Sequence, residues 1–366
     1  MRLPKAPRIP TGGSERMYSV QRKGSRKRIP VIVLIASLSL GLTHCSSTYE
    51  GAKSAHFDGS RFHNREPVGK SFLTVLKWQM TREKAQWPQQ VQHGNFESPP
   101  NRVEGEKLRV TFINHATALI QTEGYNILTD PIWSTRCSPV SWAGPKRVHN
   151  PGIKIEDLPP IDAVVISHDH YDHLDLPTLR DLEKRFRPLF FAGLGTQTLL
   201  KDAGLSRVKD MDWWETYDLK PELKLVFLPA QHWGRRTLTD TNTRLWGSYA
   251  LLSDAGNIYF AGDTGYSSHF AEIAEKYAPF RFALIPIGAY EPRWFMKNMH
   301  LNPADAVQAH LDLKSKLSVG VHFGTFQLTD EAIDEPIHAL KRAKIARELP
   351  TEAFIALSPG EGIDVP

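Results

Sequence analysis

The stretch His168-Asp169-His170-Tyr171-Asp172-His173-Leu174-Asp175 sets His168, His170, Asp172 and His173, all potential metal ligands, within six residues. The apolar run AVVIS precedes it, so the cluster opens at the end of a predicted strand, where a loop can point side chains into a cleft. In extended backbone, residues i and i+2 face one side, so His168 and His170 can share one metal ion. The chain must then turn: Asp175 is placed to cap the next helix, and Pro177 falls in its first turn. That turn would aim Asp172 and His173 at a second ion. Imidazole and carboxylate are good ligands for Zn²⁺, and an open coordination position holds a water whose pKa falls from ~15.7 toward ~7. Two ions about 3.5–4 Å apart can share a hydroxide and clamp the attacking and leaving oxygens of a displacement. Hydrolysis is therefore the expected chemistry.

Such side chains need strand ends gathered at one place. From residue 108 onward, β-rich runs are predicted at 108–113, 118–122, 126–129, 163–166, 189–191, 224–228, 248–252, 258–261, 283–286 and 318–321. Helical patterns lie between or after them, at 176–184, 196–203, 268–276, 303–311 and 335–347. Early strands are hairpin-linked and later ones alternate with helices. This predicts two mixed sheets flanked by helices, an α+β four-layer αββα sandwich over 106–366. Residues 45–105 are polar and mixed, with one short helix expected at 72–78; they read as a tether and an arm packed on the main domain.

The cluster matches the HxHxDH signature of the metallo-β-lactamase fold. His232 in LPAQHWGRR, Asp263 in YFAGDTGY and His322 in VGVHFGTF follow predicted strands in the order the family requires. The resemblance implies that His168, His170 and His232 bind one zinc, that Asp172, His173 and His322 bind the other, and that Asp263 bridges them. Iron or manganese would suit the same ligands. Asp172 and Asp263 are the carboxylates it places in catalysis. Asp130, in NILTDP, matches a further family motif as a partner that orients a ligand histidine; a plain turn residue before Pro131 is the other reading. The strings HYDHLD, PAQHW, AGDTGY, PIGAYEPRWFMKNMHLNP and HFGTF, with Asn114-His115-Ala116-Thr117, resemble the N-acylphosphatidylethanolamine-hydrolysing phospholipase D family. That likeness places His115 behind the metal ligands and gives substrate contacts to Tyr171 and His300. It implies attack by a zinc-bridging hydroxide on a phosphodiester, with release of an N-acylethanolamine.

Charge bears on location. The 366 residues carry 45 Lys+Arg against 40 Asp+Glu, a formal net charge of +5. The first 28 residues hold nine basic side chains and one acid, so everything after Arg28 nets −3. A near-neutral to acidic domain argues against a nucleic-acid partner. The basic lead precedes an uncharged apolar run at 29–42, short of the about 20 residues a span needs but suited to a signal-peptide core. Cys45 follows directly, and 1–44 resembles a bacterial lipoprotein signal, with Met17 giving a leader of more usual length. The expected product is an exported protein anchored through lipidated Cys45, in the outer membrane facing the periplasm in a Gram-negative cell. Cys137 is then left without a disulfide partner and reads as structural.

A phospholipid or small phosphodiester is thus the expected substrate. A sugar-phosphate or related lactone is the rival, and it calls for a basic pocket that Arg235, Arg236 and Lys297 could build. A membrane-tethered binding protein without catalysis is the reading of another class. The chain has no GxSxG, P-loop or CxxC motif to suggest a different chemistry.

Overall fold

A computed structural model describes residues 49–69 and 71–366. The signal-like segment and Cys45 lie outside the described residues. Among the described residues no helix is long and apolar enough to cross a membrane.

Helix α1 (Phe72–Thr81) opens the regular structure, three residues longer than expected, with the Ser71 hydroxyl accepting from Thr74 N–H at 3.2 Å. The first half of the domain runs β1 (Leu108–Asn114), β2 (Thr117–Thr122), β3 (Tyr125–Thr129), β4 (Ala163–Val165), α2 (Leu176–Phe186), β5 (Leu189–Gly193), α3 (Gln197–Asp202) and β6 (Val208–Met211). The second runs β7 (Thr216–Lys220), β8 (Leu223–Leu228), β9 (Ser248–Ser253), β10 (Asn257–Phe260), α4 (His269–Tyr277), β11 (Phe280–Pro286), α5 (Arg293–Met296), α6 (Pro303–Asp312), β12 (Leu317–Val321), α7 (Glu335–Ala346), β13 (Phe354–Ala356) and β14 (Gly362–Val365).

The strands form two seven-stranded sheets, ordered β14-β1-β2-β3-β4-β5-β6 and β13-β12-β11-β10-β9-β8-β7. Each is antiparallel on one side and parallel on the other: β3 to β6 pair in parallel in the first sheet, β10 to β13 in the second. Parallel neighbours need a crossover, which α2, α3, α4, α6 and α7 help to supply.

Side-chain alternation makes the layers. In β4, Ala163 and Val165 face the core between the sheets, while Val164 and Ile166 just beyond it face Leu179 and Leu182 of α2 and Leu200 of α3. Both faces are buried, which is why the strand reads as an unbroken apolar run. On the outer side of the second sheet, Phe270 and Ile273 of α4, Val307 of α6 and Leu340 of α7 complete the core. Each such buried side chain contributes about 1.5–3 kcal/mol. Helix, sheet, sheet, helix is the predicted four-layer sandwich.

Strands β6, β7, β13 and β14 were not expected. They are the four edge strands of the two sheets, are three to five residues long, and carry polar or half-exposed side chains such as VKDM and TYDLK. Their hydrophobic period is too weak to read. The arm ahead of β1 contributes Phe57 and Phe62 to the central core and is pinned again where Arg82 pairs with Asp330 at 2.8 Å.

The parallel strands end close together at the site edge. A Cβ on Gly288, just after β11, would lie 2.1 Å from the carbonyl oxygen of His322, just after β12. Gly288→Ala is therefore expected to lower unfolding free energy by about 1–3 kcal/mol, read as a lower midpoint in urea denaturation.

Candidate metal centre

Every ligand suggested by the sequence sits beyond the end of a strand at one rim of the sandwich. His168 follows β4, His232 follows β8, Asp263 follows β10 and His322 follows β12, while His115 turns the chain between β1 and β2. Three residues of this rim hold left-handed backbone: His115 at φ 45°, Asp130 at φ 34° and His322 at φ 62°. Side chains other than glycine rarely adopt this region, and such strain collects at functional sites.

The side chains converge in two groups. His168 Nε2 lies 2.8 Å from His170 Nδ1, and His232 Nε2 lies 3.3 Å from the same atom. Ligand nitrogens on a tetrahedral zinc with Zn–N of about 2.0–2.1 Å stand about 3.3 Å apart, so this spacing fits one ion. His115, Asp172, His173 and His322 form the second group. Asp172 Oδ2 is 2.9 Å from His115 Nε2 and 3.3 Å from both His173 Nε2 and His322 Nε2. Asp263 stands between the groups, its Oδ2 at 3.3 Å from His173, 3.1 Å from His322 and 3.8 Å from His232.

Tautomers follow from partners that can only accept. The Met299 carbonyl accepts from His232 Nδ1 at 2.9 Å, which leaves a lone pair on Nε2. The Asp130 carboxylate accepts from His173 Nδ1 at 2.6 Å, freeing His173 Nε2 in the same way. Ser167 Oγ donates to Asp130 Oδ2 at 2.5 Å, so at His168 Nδ1, 2.9 Å away, it accepts, and Nε2 of His168 again points its lone pair inward. Asp130 is thus no mere turn residue: it orients His173 directly and His168 through Ser167.

Burial drives His115 and His232 down to about 3 and His170 to about 4, keeping these imidazoles neutral. His173 and His322 behave oppositely. Burial opposes their charge, but Asp263, Asp172 and Asp130 outweigh it at His173, raised well above the usual range; Asp263 and Asp172 raise His322 to about 9. Burial likewise opposes ionisation of Asp172 and Asp263, and the facing imidazoles hold both well below the carboxylate range. His173 Nε2 and Asp263 Oδ1 are buried with no hydrogen-bond partner. Inward lone pairs, orphaned buried atoms and buried negative charge together fit a pair of divalent cations.

Other assigned residues take definite places. His300 Nδ1 is buried without a hydrogen bond, 3.8 Å from Asp263 Oδ2, so His300 faces the centre. Tyr171 donates its hydroxyl to the Arg236 carbonyl at 3.0 Å, and the Arg236 guanidinium lies 4.0 Å from the Tyr171 ring centroid. Arg236 donates to the carbonyls of Asp169 and Leu174 at 2.7 and 2.9 Å, clamping the metal loop from beneath. Asp175 does occupy the position before α2, yet its carboxylate receives the hydroxyls of Thr178 and Ser134 and the Ser134 N–H in place of a helix-end amide. Cys137 is buried and free, its thiol pushed up by burial, and it plays no part in the centre.

Several positioning groups escaped the sequence reading: Ser167, the Met299 carbonyl, and Arg244, which pairs with Asp169 at 2.7 Å and with Asp240. Ser167 immediately precedes the motif and was the one within reach of inspection.

Fold and site define a metal-dependent hydrolase of the metallo-β-lactamase fold. Residues 125–323 match the β-lactamase superfamily domain, and the chain belongs to that superfamily. It is 41% identical over 266 residues to N-acyl-phosphatidylethanolamine-hydrolyzing phospholipase D 1 of Caenorhabditis elegans, spanning 69% of this chain and 75% of that protein. The mitochondrial enzyme of the same name from Saccharomyces cerevisiae is 35% identical over 247 residues, 65% of this chain and 52% of the yeast protein. An isothiocyanate hydrolase from Delia radicum gut bacteria shares the fold, with a TM-score of 0.57 at 17% identity over 70% of this chain and 98% of its own.

Asp130→Asn keeps the shape but removes the charge that holds the His173 proton on Nδ1. Metal affinity is expected to fall about 10–100-fold, measured by competition with a chelator.

Proposed function

We propose that the chain is a phospholipase D-type phosphodiesterase that cleaves N-acylphosphatidylethanolamine-like lipids with two zinc ions. The observation that carries this reading is its 41% identity over 266 residues to an enzyme named for that reaction, in a chain whose expected ligands converge at one rim. His168, His170 and His232 would hold one ion and Asp172, His173 and His322 the other, with Asp263 between them. When bound, such ions supply a nucleophilic water near neutral pH and offset charge gathering on phosphoryl oxygens. The chain's own residues do the rest. Asp130, Ser167 and the Met299 carbonyl keep ring protons on the outer nitrogens, so inner lone pairs are available without tautomer exchange. His300, kept neutral by burial, offers its unpartnered Nδ1 to a substrate atom beside Asp263. Tyr171 fixes the loop from which His170 and Asp172 project, and we assign its ring the second substrate contact.

A lipid suits the surroundings better than a small anion. Arg236 is committed to the loop, while Arg235 and Lys297 are exposed. Trp78 of α1 stacks at 4.6 Å on Phe295 of α5, the helix that ends three residues before Met299, and the two helices present exposed Leu73, Met80 and Trp294. Cleavage at phosphorus on the side of the N-acylethanolamine oxygen releases that alcohol and leaves phosphatidic acid. Lipidation of Cys45 after export would hold the domain beside such substrates.

Turnover of N-acylphosphatidylethanolamine in mixed micelles, of bis(4-nitrophenyl) phosphate and of a sugar-phosphate lactone separates the readings. The lipid is expected to give the highest kcat/KM; preference for the lactone would contradict the proposal. Asp263→Asn is expected to lower kcat on the order of 10²-fold or more with an unchanged circular dichroism spectrum.

A further inference from the structure

His232 stands in the long connection between β8 and β9, which contains no helix or strand, so its backbone has no sheet neighbour. Both backbone groups are nevertheless paired, and with a single side chain. Asn64 donates Nδ2–H to the His232 carbonyl at 2.6 Å, and its Oδ1 accepts from His232 N–H at 3.1 Å. This two-point contact does for one residue what an adjacent strand does for many.

Asn64 is itself held. Its Oδ1 also receives the indole N–H of Trp246 at 3.1 Å, and that buried indole donates to Ala230 O at 3.0 Å as well. Two residues earlier, Phe62 is fully buried in the central core, and its N–H donates to Asn242 O at 2.8 Å. Two residues later, the Glu66 carbonyl accepts from Gln231 Nε2 at 2.8 Å. The main chain of His232 and the side chain of Gln231 are therefore held from the arm, while the Met299 carbonyl fixes the His232 ring from the opposite side. With both ends held, Nε2 of His232 comes to 3.3 Å from His170 Nδ1.

We propose that Asn64 is a positioning residue of the metal centre, setting His232 and so the affinity of the half-site made by His168, His170 and His232. It lies outside residues 125–323 that match the superfamily domain, so part of this chain's centre is built from the arm. The assignment rests on the metal-dependent reading above and adds to it a residue that touches neither metal nor substrate.

The test uses the full-length zinc-loaded protein and three variants. Asn64→Ala removes both contacts, Asn64→Asp keeps the acceptor and loses the donor, and Phe57→Leu loosens the packing of the same arm without touching His232. Zinc affinities are measured by chelator competition, beside thermal midpoints and separate kcat and KM values. Asn64→Ala is expected to weaken one of two zinc sites about 10–100-fold and to lower kcat more than it changes KM, with Asn64→Asp weakened in the same site. Phe57→Leu should lower the thermal midpoint and leave both affinities unchanged. Should Asn64→Ala not fold, Asn64→Asp against Phe57→Leu decides in the same terms. Zinc affinities in the Asn64 variants equal to those of Phe57→Leu would overturn the assignment. A wild-type chain that holds no zinc would instead overturn the metal-dependent reading and the assignment with it.

Discussion

Buried negative charge governs this structure. Asp130, Asp172 and Asp263 lie at the rim of the sandwich, and their partners among the described residues are imidazoles, one serine hydroxyl and one backbone N–H. Taking a carboxylate out of water costs several kcal/mol unless opposite charge meets it. In the protein alone the acids around His173 and His322 raise the proton affinity of both imidazoles, so positive charge is drawn to this rim. Divalent cations would meet the same demand and return those nitrogens to their role as ligands. Metal affinity and fold stability at this rim are thus expressions of one balance.

The architecture answers a positional problem. His168 and His322, 154 positions apart in the chain, must meet within a few ångströms, and two sheets with parallel strands ending at one rim achieve it. Strain is accepted there: His115, Asp130 and His322 keep left-handed backbone, and Gly288 leaves room for the His322 carbonyl. Around that rim a layer of fixed acceptors sets ring protons outward, and the Arg236 and Arg244 guanidiniums lock the metal loop from beneath.

The four-layer fold was legible, and the His/Asp cluster could be singled out, because their signals are local. Strand β4 is buried on both faces and reads as an apolar run, and the histidine cluster follows its end after Ile166 and Ser167. Asp130 could be singled out but not decided, since a turn residue before proline and a carboxylate behind a histidine look alike in one dimension. Edge strands β6, β7, β13 and β14 were hidden by short length and polar faces. Arg236 could be named only as a candidate for a rival basic pocket, since its Nη1 bonds to the carbonyls of Asp169 and Leu174 carry no trace in the sequence. Asn64 carried no signal at all: its partner lies 168 positions away, and nothing local in the sequence links the two.

We propose that two cations sit at this rim, one on three histidines and one on two histidines and Asp172, with Asp263 between the groups. Anomalous diffraction at the zinc absorption edge from crystals of the zinc-loaded protein tests it directly. The account predicts two peaks about 3.5–4 Å apart. One should be bounded by His168 Nε2, His170 Nδ1 and His232 Nε2, the other by Asp172, His173 and His322, with the Asp263 carboxylate in contact with both. A single peak, or peaks away from these side chains, would contradict it.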